Sequence, residues 1–533
     1  MATTAIPAVD VDYVPLLPLL IVAGTALVGL TLEAALGRRL RFLIQACVAT
    51  AGMVAALVAS VIVYDDLSVV EEATHLARGE VEAAGAIAVD GPGVVTWMCL
   101  LVFGLLSIGL FAERRFEAGL SPFTGRASDV PGSAGETEAV TYRLEHTEIF
   151  PLAMFALSGM MLFATANDLI TMFVALEVLS LPLYVMCALS RRRRLISQEA
   201  ALKYFLLGAF SSVFFLYGAA LAYGYSGSLN LTVIDEAVSA RADSGKLLLV
   251  AMAMIAVGLL FKISAVPFHA WTPDVYQGAP TPVTGFMAAA TKAAAFVALM
   301  RVFFVGFGGA SWDWRPTIWV VAVLTMVLGS IVAIAQTDVK RMLAYSSIAH
   351  AGFLLVGFSG AYLGAADGGS ISSVSSVLFY LLVYGVATIG AFAVVTVVRD
   401  SAGETTHLSK WAGLGKRSPM LAGTFALFLL SFAGIPLTSG FIGKWAVFAA
   451  AWAGDAWVLV VIAVVASAVA AYFYLRVIVL MFFTDPVGDG PAIAAPGVLT
   501  TVVIALAAIV TVVLGVLPGP MFDLVQNAGA FVR

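Results

Sequence analysis

The chain has 533 residues, of which 61% are hydrophobic and only 11% charged, against the ~25% charge of an ordinary soluble domain. That balance excludes a water-soluble enzyme and leaves no room for a sizeable soluble domain. The formal net charge of −5 says little about partners, since the placement of charges matters more than their sum, and no nucleic-acid partner is expected.

The start, "MATTAIPAVDVDYVPLLPLL", has no basic residue ahead of its first apolar run, so the first helix is expected to stay rather than be cleaved as a signal peptide. Apolar runs long enough to cross ~30 Å of hydrocarbon then recur to the end. Spans are predicted at 14–35, 40–63, 93–112, 148–166, 168–189, 200–225, 245–266, 280–305, 316–336, 341–360, 371–398, 418–451, 455–484 and 496–518. The fold class is therefore an all-α polytopic membrane protein of about fourteen helices. The run 418–451 is longer than one span needs and contains "FAGIPLTSGFIGK", which reads as a broken helix like that at 245–266. Between spans, "SPFTGRASDVPGSAGETE" from Ser121 reads as an exposed loop, and the acidic segment Asp65 to Asp90 carries little motif. Cys47, Cys99 and Cys187 lie far apart with no C-x-x-C pair, so an iron–sulfur cluster, structural zinc or disulfide framework is not expected here.

Basic residues orient the spans. With the N-terminus outside, inner loops hold 17 Lys and Arg, including Arg38, Arg39, Arg41, the run Arg191 to Arg194, Lys340 and Arg341, whereas the outer side holds Arg78, Arg241, Lys246, Arg315 and Arg533. This fits the positive-inside rule with both termini outside. The run at 191–194 reads as a topology anchor touching anionic lipid. Trp312, Trp314, Trp319, Trp452 and Trp457 fall near the outer interface, where indole rings are favoured.

Two features recur at similar separation. Asp168 opens a span and Pro267 breaks one 99 residues later, while Asp338 opens a span and Pro436 breaks one 98 residues later. Because Asp168 lies at an outer end and Asp338 at an inner end, the units read as inverted five-helix repeats, each with a discontinuous helix. The expected organisation is three N-terminal helices in 1–115, a first half-channel in 145–305, a second in 316–485, and a C-terminal helix and tail in 496–533.

Lys203, Lys262, Lys292, Arg301, Lys444 and Arg476 fall inside apolar spans. A central lysine costs about 2.5 to 3.5 kcal/mol on insertion scales, so such residues usually face a cavity or a partner. Glu177 lies deepest in an apolar run and is the natural counter-ion for Lys262; separating the two favours their neutral forms and lets the lysine release a proton. Lys292 and Lys444 extend the series, with His350 between them in sequence as a titratable relay. Lys203 sits about a turn inside its span and snorkels toward the inner surface or joins the series. Arg301 and Arg476 do not deprotonate and read as pinning groups. His269 and Asp274, beside Pro267 and a proline-rich break, are gating candidates or loop hydrogen-bonding groups, and Pro436 marks the second break.

The stretches "FKISAVPFHAWTPDVYQGAPTPVTGFMAAATKAAAF", "DLITMFVALEVLSLPLYV", "QTDVKRMLAYSSIAHAGF" and "SFAGIPLTSGFIGKW" resemble the antiporter-like membrane subunits of respiratory complex I. "HAWTPDVYQGAPTPV" and "ALEVLSLPLYV" resemble the N type more than its L and M sisters. The resemblance implies that Glu177 and Lys262 form the family's interacting pair on the fifth and seventh helices. It makes Lys292 the central lysine of the eighth, Lys444 the lysine after the break of the twelfth, Lys203 the sixth-helix lysine and His350 the histidine of the second half-channel. It further implies proton translocation coupled to quinone reduction elsewhere in a bacterial plasma-membrane complex. FMN, iron–sulfur clusters and the quinone site then belong to partner subunits, and no cofactor or metal to this chain. Expected partners are the neighbouring membrane-arm subunits and lipid. A subunit of a multisubunit cation/proton antiporter is the alternative, and a structural membrane subunit with idle polar groups a third reading.

Overall fold

A computed structural model describes residues 12–72, 75–116, 119–126, 132–241, 245–360, 371–400, 403–486, 490 and 492–532. Arg533, placed above on the outer side, and 127–131 of the loop after Ser121 lie outside the described residues. Among the described residues, twelve helices are long and apolar enough to cross a membrane, and Ile149–Thr165 and Pro419–Ala433 are apolar but shorter.

At the start, α1 (Leu17–Ala35) and α2 (Arg38–Asp66) pack on each other. The all-helical expectation is amended by two small sheets, the first in the segment from Asp65 to Asp90. Strands β1 (Val69–Glu72), β2 (His75–Glu82) and β3 (Ile87–Asp90) form a small antiparallel sheet ahead of α3 (Gly91–Phe111). The loop after Ser121 is also less open than expected, because it carries the short α4 (Ala134–Thr141), N-capped by the Ser133 hydroxyl.

Two long helical units follow. The first runs through α5 (Ile149–Thr165), α6 (Leu169–Cys187), α7 (Arg194–Ser226), α8 (Leu231–Ser239), α9 (Gly245–Ile263), α10 (Trp271–Gly278), α11 (Thr281–Phe286) and α12 (Lys292–Arg301). Between α11 and α12 the backbone widens into a buried π-turn at Met287–Thr291, immediately before Lys292. Turns of this kind inside helices are frequent at functional sites. The second unit runs through α13 (Ser311–Ile334), α14 (Val339–Ser359), α15 (Ser373–Val397), the strand pair β4 (Arg399–Asp400) and β5 (Gly403–Glu404), α16 (Leu414–Arg417), α17 (Pro419–Ala433), α18 (Ser439–Ala453) and α19 (Trp457–Phe483). α20 (Val498–Val516) and α21 (Gly519–Asn527) close the chain. α11, α12 and α15 are buried throughout, whereas α7, α19 and α20 turn large apolar side chains such as Phe210, Val465 and Ile509 outward, the arrangement of a bundle solvated by lipid.

The recurring aspartates have a common local cause. Asp168 accepts from the backbone amides of Ile170 and Thr171 at 2.9 and 2.8 Å, and Asp338 from those of Lys340 and Arg341 at 2.9 and 3.1 Å. Each carboxylate thereby satisfies donors left open at a helix start and complements the helix dipole. The two predicted breaks are present as well. α9 ends before Ser264, held at φ 66°, and α17 is closed by Gly434 at φ 82°, with Leu437 at φ 69° before α18.

Several charged residues are more deeply placed than their loop positions suggested. Arg191 and Arg194 are buried: Arg191 donates to the carbonyls of Ser121 and Leu144, and Arg194 to Thr124 Oγ1 and the Arg126 carbonyl. Arg193 reaches Thr406 Oγ1 and the Glu404 carbonyl at 3.1 and 2.9 Å. The arginine run therefore knits the loops of this face together, rather than only offering charge to lipid. Lys340 is likewise buried, not a loop residue. Among the tryptophans, Trp312, Trp452 and Trp457 are exposed, but Trp314 is buried with its indole N–H on the Phe307 carbonyl. Arg301 pins helices as expected. Its guanidinium is fully buried, lies 2.8 and 2.7 Å from the two carboxylate oxygens of Asp90, and also donates to the Ala164 carbonyl. This ties α3, α5 and α12, and Val532 N on Asp90 adds the C-terminal segment.

Candidate proton-carrying site

Lys262 lies in the last turn of α9, where the C-terminal helix dipole favours a cation. It is 2% exposed, and Nζ donates to Ser180 Oγ on α6 at 2.7 Å. Glu177 sits on the same face of α6, one turn earlier, but its Oε1 is buried with no hydrogen-bond partner. The sequence paired Lys262 with Glu177; in the structure the serine one turn further on takes the ammonium. The rings of Tyr184 and Tyr204 lie 5.6 Å from Nζ, and their hydroxyls are also buried without partners.

Lys292, on α12 directly after the π-turn, donates to both the carbonyl and the hydroxyl of Ser347 on α14. His350 is one turn further along α14 on the same face. Its Nδ1 lies 2.6 Å from the Tyr380 hydroxyl of α15 and its Nε2 3.1 Å from the Tyr474 hydroxyl of α19, which also lies 2.5 Å from Ser346 Oγ. The Tyr384 ring bridges the two groups, with its centroid 4.6 Å from the imidazole and 5.6 Å from the Lys292 nitrogen.

Lys444 completes the set from α18. Its Nζ donates to the carbonyls of Phe432 and Ala433 at 2.9 and 3.0 Å and to Ser467 Oγ at 2.8 Å. The two carbonyls belong to the last turn of α17, where the break removes their helical donors, so the lysine caps the interrupted helix. A Cβ on Gly443 would lie 2.6 Å from Tyr380 Cδ2; the glycine lets that ring lie flat on α18 beside Lys444.

The remaining candidates are placed elsewhere. Lys203 is outside the buried series, in ion pairs of 2.7 Å with Glu199 on its own helix and with Asp274 on α10. Asp274 also receives Arg341 Nη1 of α14 at 2.7 Å. Burial would raise the Asp274 carboxyl, but Lys203 and Arg341 outweigh it and hold the group below its ordinary range, so it is ionised at neutral pH. His269 is half-buried, with Nδ1 unpartnered. Pro267 and Pro436 are exposed, just past the ends of α9 and α17.

Sequence reading missed the hydroxyl groups that join these amines: Ser180, Ser347, Tyr380, Tyr474 and Ser467. Serines and tyrosines in apolar runs look like ordinary core residues. The one available signal was spacing, since Ser180 and Ser347 each stand three residues from a singled-out group, Glu177 and His350. Taken together, the residues form a series of proton-accepting and proton-donating groups inside an apolar bundle. Among the described residues no group of three or more His, Cys, Asp or Glu is placed to hold a metal.

The family model described as NADH:quinone oxidoreductase/Mrp antiporter, transmembrane, matches residues 166–470, which span both breaks and every lysine of the series. NADH-quinone oxidoreductase subunit N of a Nocardioides species is 56% identical over 98% of this chain and 99% of its own length. The protein of the same name from Acidothermus cellulolyticus is 55% identical over 99% of this chain and 98% of its own. A chain of respiratory complex I from Thermus thermophilus with bound aureothin shares the fold at a TM-score of 0.73 with 34% identity, covering 96% of this chain and all of that one. A chain of the Mrp complex from Dietzia sp. DQ12-45-1b, 21% identical, shares the fold at a TM-score of 0.77 over 96% of this chain and 97% of that one. On these grounds the chain belongs to the subunit N family of NADH-quinone oxidoreductase, within the NADH:quinone oxidoreductase/Mrp antiporter membrane proteins.

Proposed function

We propose that this chain translocates protons as a membrane-arm subunit of NADH-quinone oxidoreductase, with redox chemistry and its cofactors on partner subunits. The observation that carries the reading is the buried series itself. Lys262, Lys292, His350 and Lys444 are each at most 5% exposed and each hydrogen-bonded to a hydroxyl on a neighbouring helix. A burial cost repeated four times in one bundle supports a working role, because a single pinning group would suffice for packing.

In this reading the residues from 145 to 305 and from 316 to 485 are two inverted half-channels, supported by the matched aspartate caps and the left-handed residues at both breaks. The basic loops face the inside and both termini the outside of a bacterial plasma membrane. A rearrangement arriving from a neighbouring subunit moves Glu177 relative to Lys262. Lys262 then passes its proton toward Lys292, and the Ser347, His350 and tyrosine hydroxyls carry it to Lys444 for release outward. His269 and the Asp274 cluster gate the first break. The test is Lys262→Met in the complete complex reconstituted into vesicles, with NADH oxidation and proton uptake measured together. Assembly and electron transfer with lost uptake is expected; full uptake would refute the role. Sodium transport by this polypeptide without redox partners would instead favour the cation/proton antiporter.

A further inference from the structure

On the face of the basic loops lies a cavity of about 30 Å³, lined among others by Lys340, Ala279, Thr281, Glu404 and Arg193. A water needs ~10 to 15 Å³, so a water or two fits. Lys340 is 2% exposed and donates from Nζ to the Ala279 carbonyl at 2.7 Å, which uses one of its three donors. Glu404 stands on the same cavity with its side chain 19% exposed; Thr281 Oγ1 donates to it, and Arg399 Nη1 is 4.0 Å away. The other nearby acid, Asp338, is committed to the α14 cap and to Thr406 Oγ1.

Lys340 and Ser347 are seven residues apart on α14, two turns, which places them on one face about 10 Å apart. Ser347 is the residue that receives Lys292. Tyr276, beside the cavity-lining Gln277 and Gly278, is buried on α10, which packs against α14. A titratable amine is thus set between a surface carboxylate and the central lysine, on the helix that carries the rest of the series.

We infer that Lys340 is the proton-loading residue for Lys292, which rests on the proton-carrying reading above. Glu404 takes a proton at the cavity mouth and releases it through cavity water to the Lys340 amine. The Lys340 ammonium passes one proton on through the Tyr276 and Ser347 hydroxyls, each accepting one and releasing its own, to the Lys292 amine. Only O–H and N–H bonds break and form, and one positive charge moves inward.

The experiment uses the whole complex in vesicles with Lys340→Arg, Glu404→Gln and Lys292→Met, measuring assembly, NADH oxidation and proton uptake. Arginine keeps the charge and the bond to Ala279 but does not give up its proton. Lys340→Arg is therefore expected to assemble and oxidise NADH while losing uptake to the same extent as Lys292→Met. Rescue of uptake by arginine would show a structural lysine and overturn the inference. Should the arginine variant fail to assemble, Glu404→Gln decides, since glutamine still accepts from Thr281: reduced uptake supports the loading route and normal uptake overturns it. Normal uptake in Lys292→Met would instead sink the underlying reading.

Discussion

Lys262 and Lys444 both stand at broken helices, but their surroundings are bonded very differently. Lys262 has one hydroxyl acceptor, and around it Glu177 Oε1 and the hydroxyls of Tyr184 and Tyr204 have no partner. Lys444 has three acceptors, and its neighbour His350 is bonded through both ring nitrogens. An unsatisfied buried polar group costs about 1 to 3 kcal/mol. The first site therefore holds groups that gain by re-pairing, as a switch requires, whereas the second is a fixed chain of bonds, as a relay requires. A neutral imidazole has one donor and one acceptor nitrogen, so Tyr380 and Tyr474 must play opposite roles at any instant. Moving a proton through the ring exchanges them.

The largest effect should come from His350→Leu, which strands the Tyr380 hydroxyl, leaves Tyr474 only Ser346, and removes the imidazole from the chain. The expected outcome is loss of proton uptake, together with a destabilisation of about 1 to 3 kcal/mol from the unpaired Tyr380 hydroxyl, read from thermal inactivation of the assembled complex. Uptake near normal would end the distinction between relay and switch. Tyr474→Phe is milder, leaving His350 Nε2 and Ser346 Oγ short of one partner at about 1 to 2 kcal/mol, with partial loss of uptake. Ser180→Ala should cost less than about 1 kcal/mol in stability, because the free oxygen of Glu177 can take the ammonium instead. Uptake should still slow, since a closed Glu177–Lys262 ion pair holds the proton more tightly. A stability loss larger than that of Tyr474→Phe would show that the first site has no spare acceptor.

Much of this arrangement was legible in the sequence. Apolar runs located the long helices, and Asp168, Asp338, Pro267 and Pro436 marked two capped helix starts and two breaks, because helix caps and proline breaks act within a few residues of themselves. The buried lysines stood out because charge in an apolar run is costly enough to be rare. Partner choice was not legible. Whether Lys262 meets Glu177 or Ser180 depends on one turn of α6, and whether Lys203 joins the series depends on Asp274, 71 residues away. Arg191, Arg194 and Lys340 read as loop charges because burial by other loops is a tertiary fact. The sheet at Val69–Asp90 escaped because its short strands alternate weakly and sit among glycines and acids.

The smallest expected effect is the sharpest test of the contrast. Tyr204 stacks on Trp271 at 4.7 Å between centroids and meets Tyr184 edge-on, so its ring is part of the core, but its hydroxyl is buried and unbonded. Tyr204→Phe keeps the ring contacts and deletes only the orphan group. Stability should change by less than about 0.5 kcal/mol or rise, because removing an unpaired polar group costs nothing in bonds and restores apolar packing. Tyr380→Phe, the same chemical change in the other half, removes a 2.6 Å bond to His350 and should cost about 1 kcal/mol or more. Thermal inactivation of the two variants in the assembled complex measures the difference directly. Equal losses would mean that the Tyr204 hydroxyl is as firmly bonded as that of Tyr380, and the first site would then be as tightly wired as the second, with no free groups on which a switch at Lys262 depends.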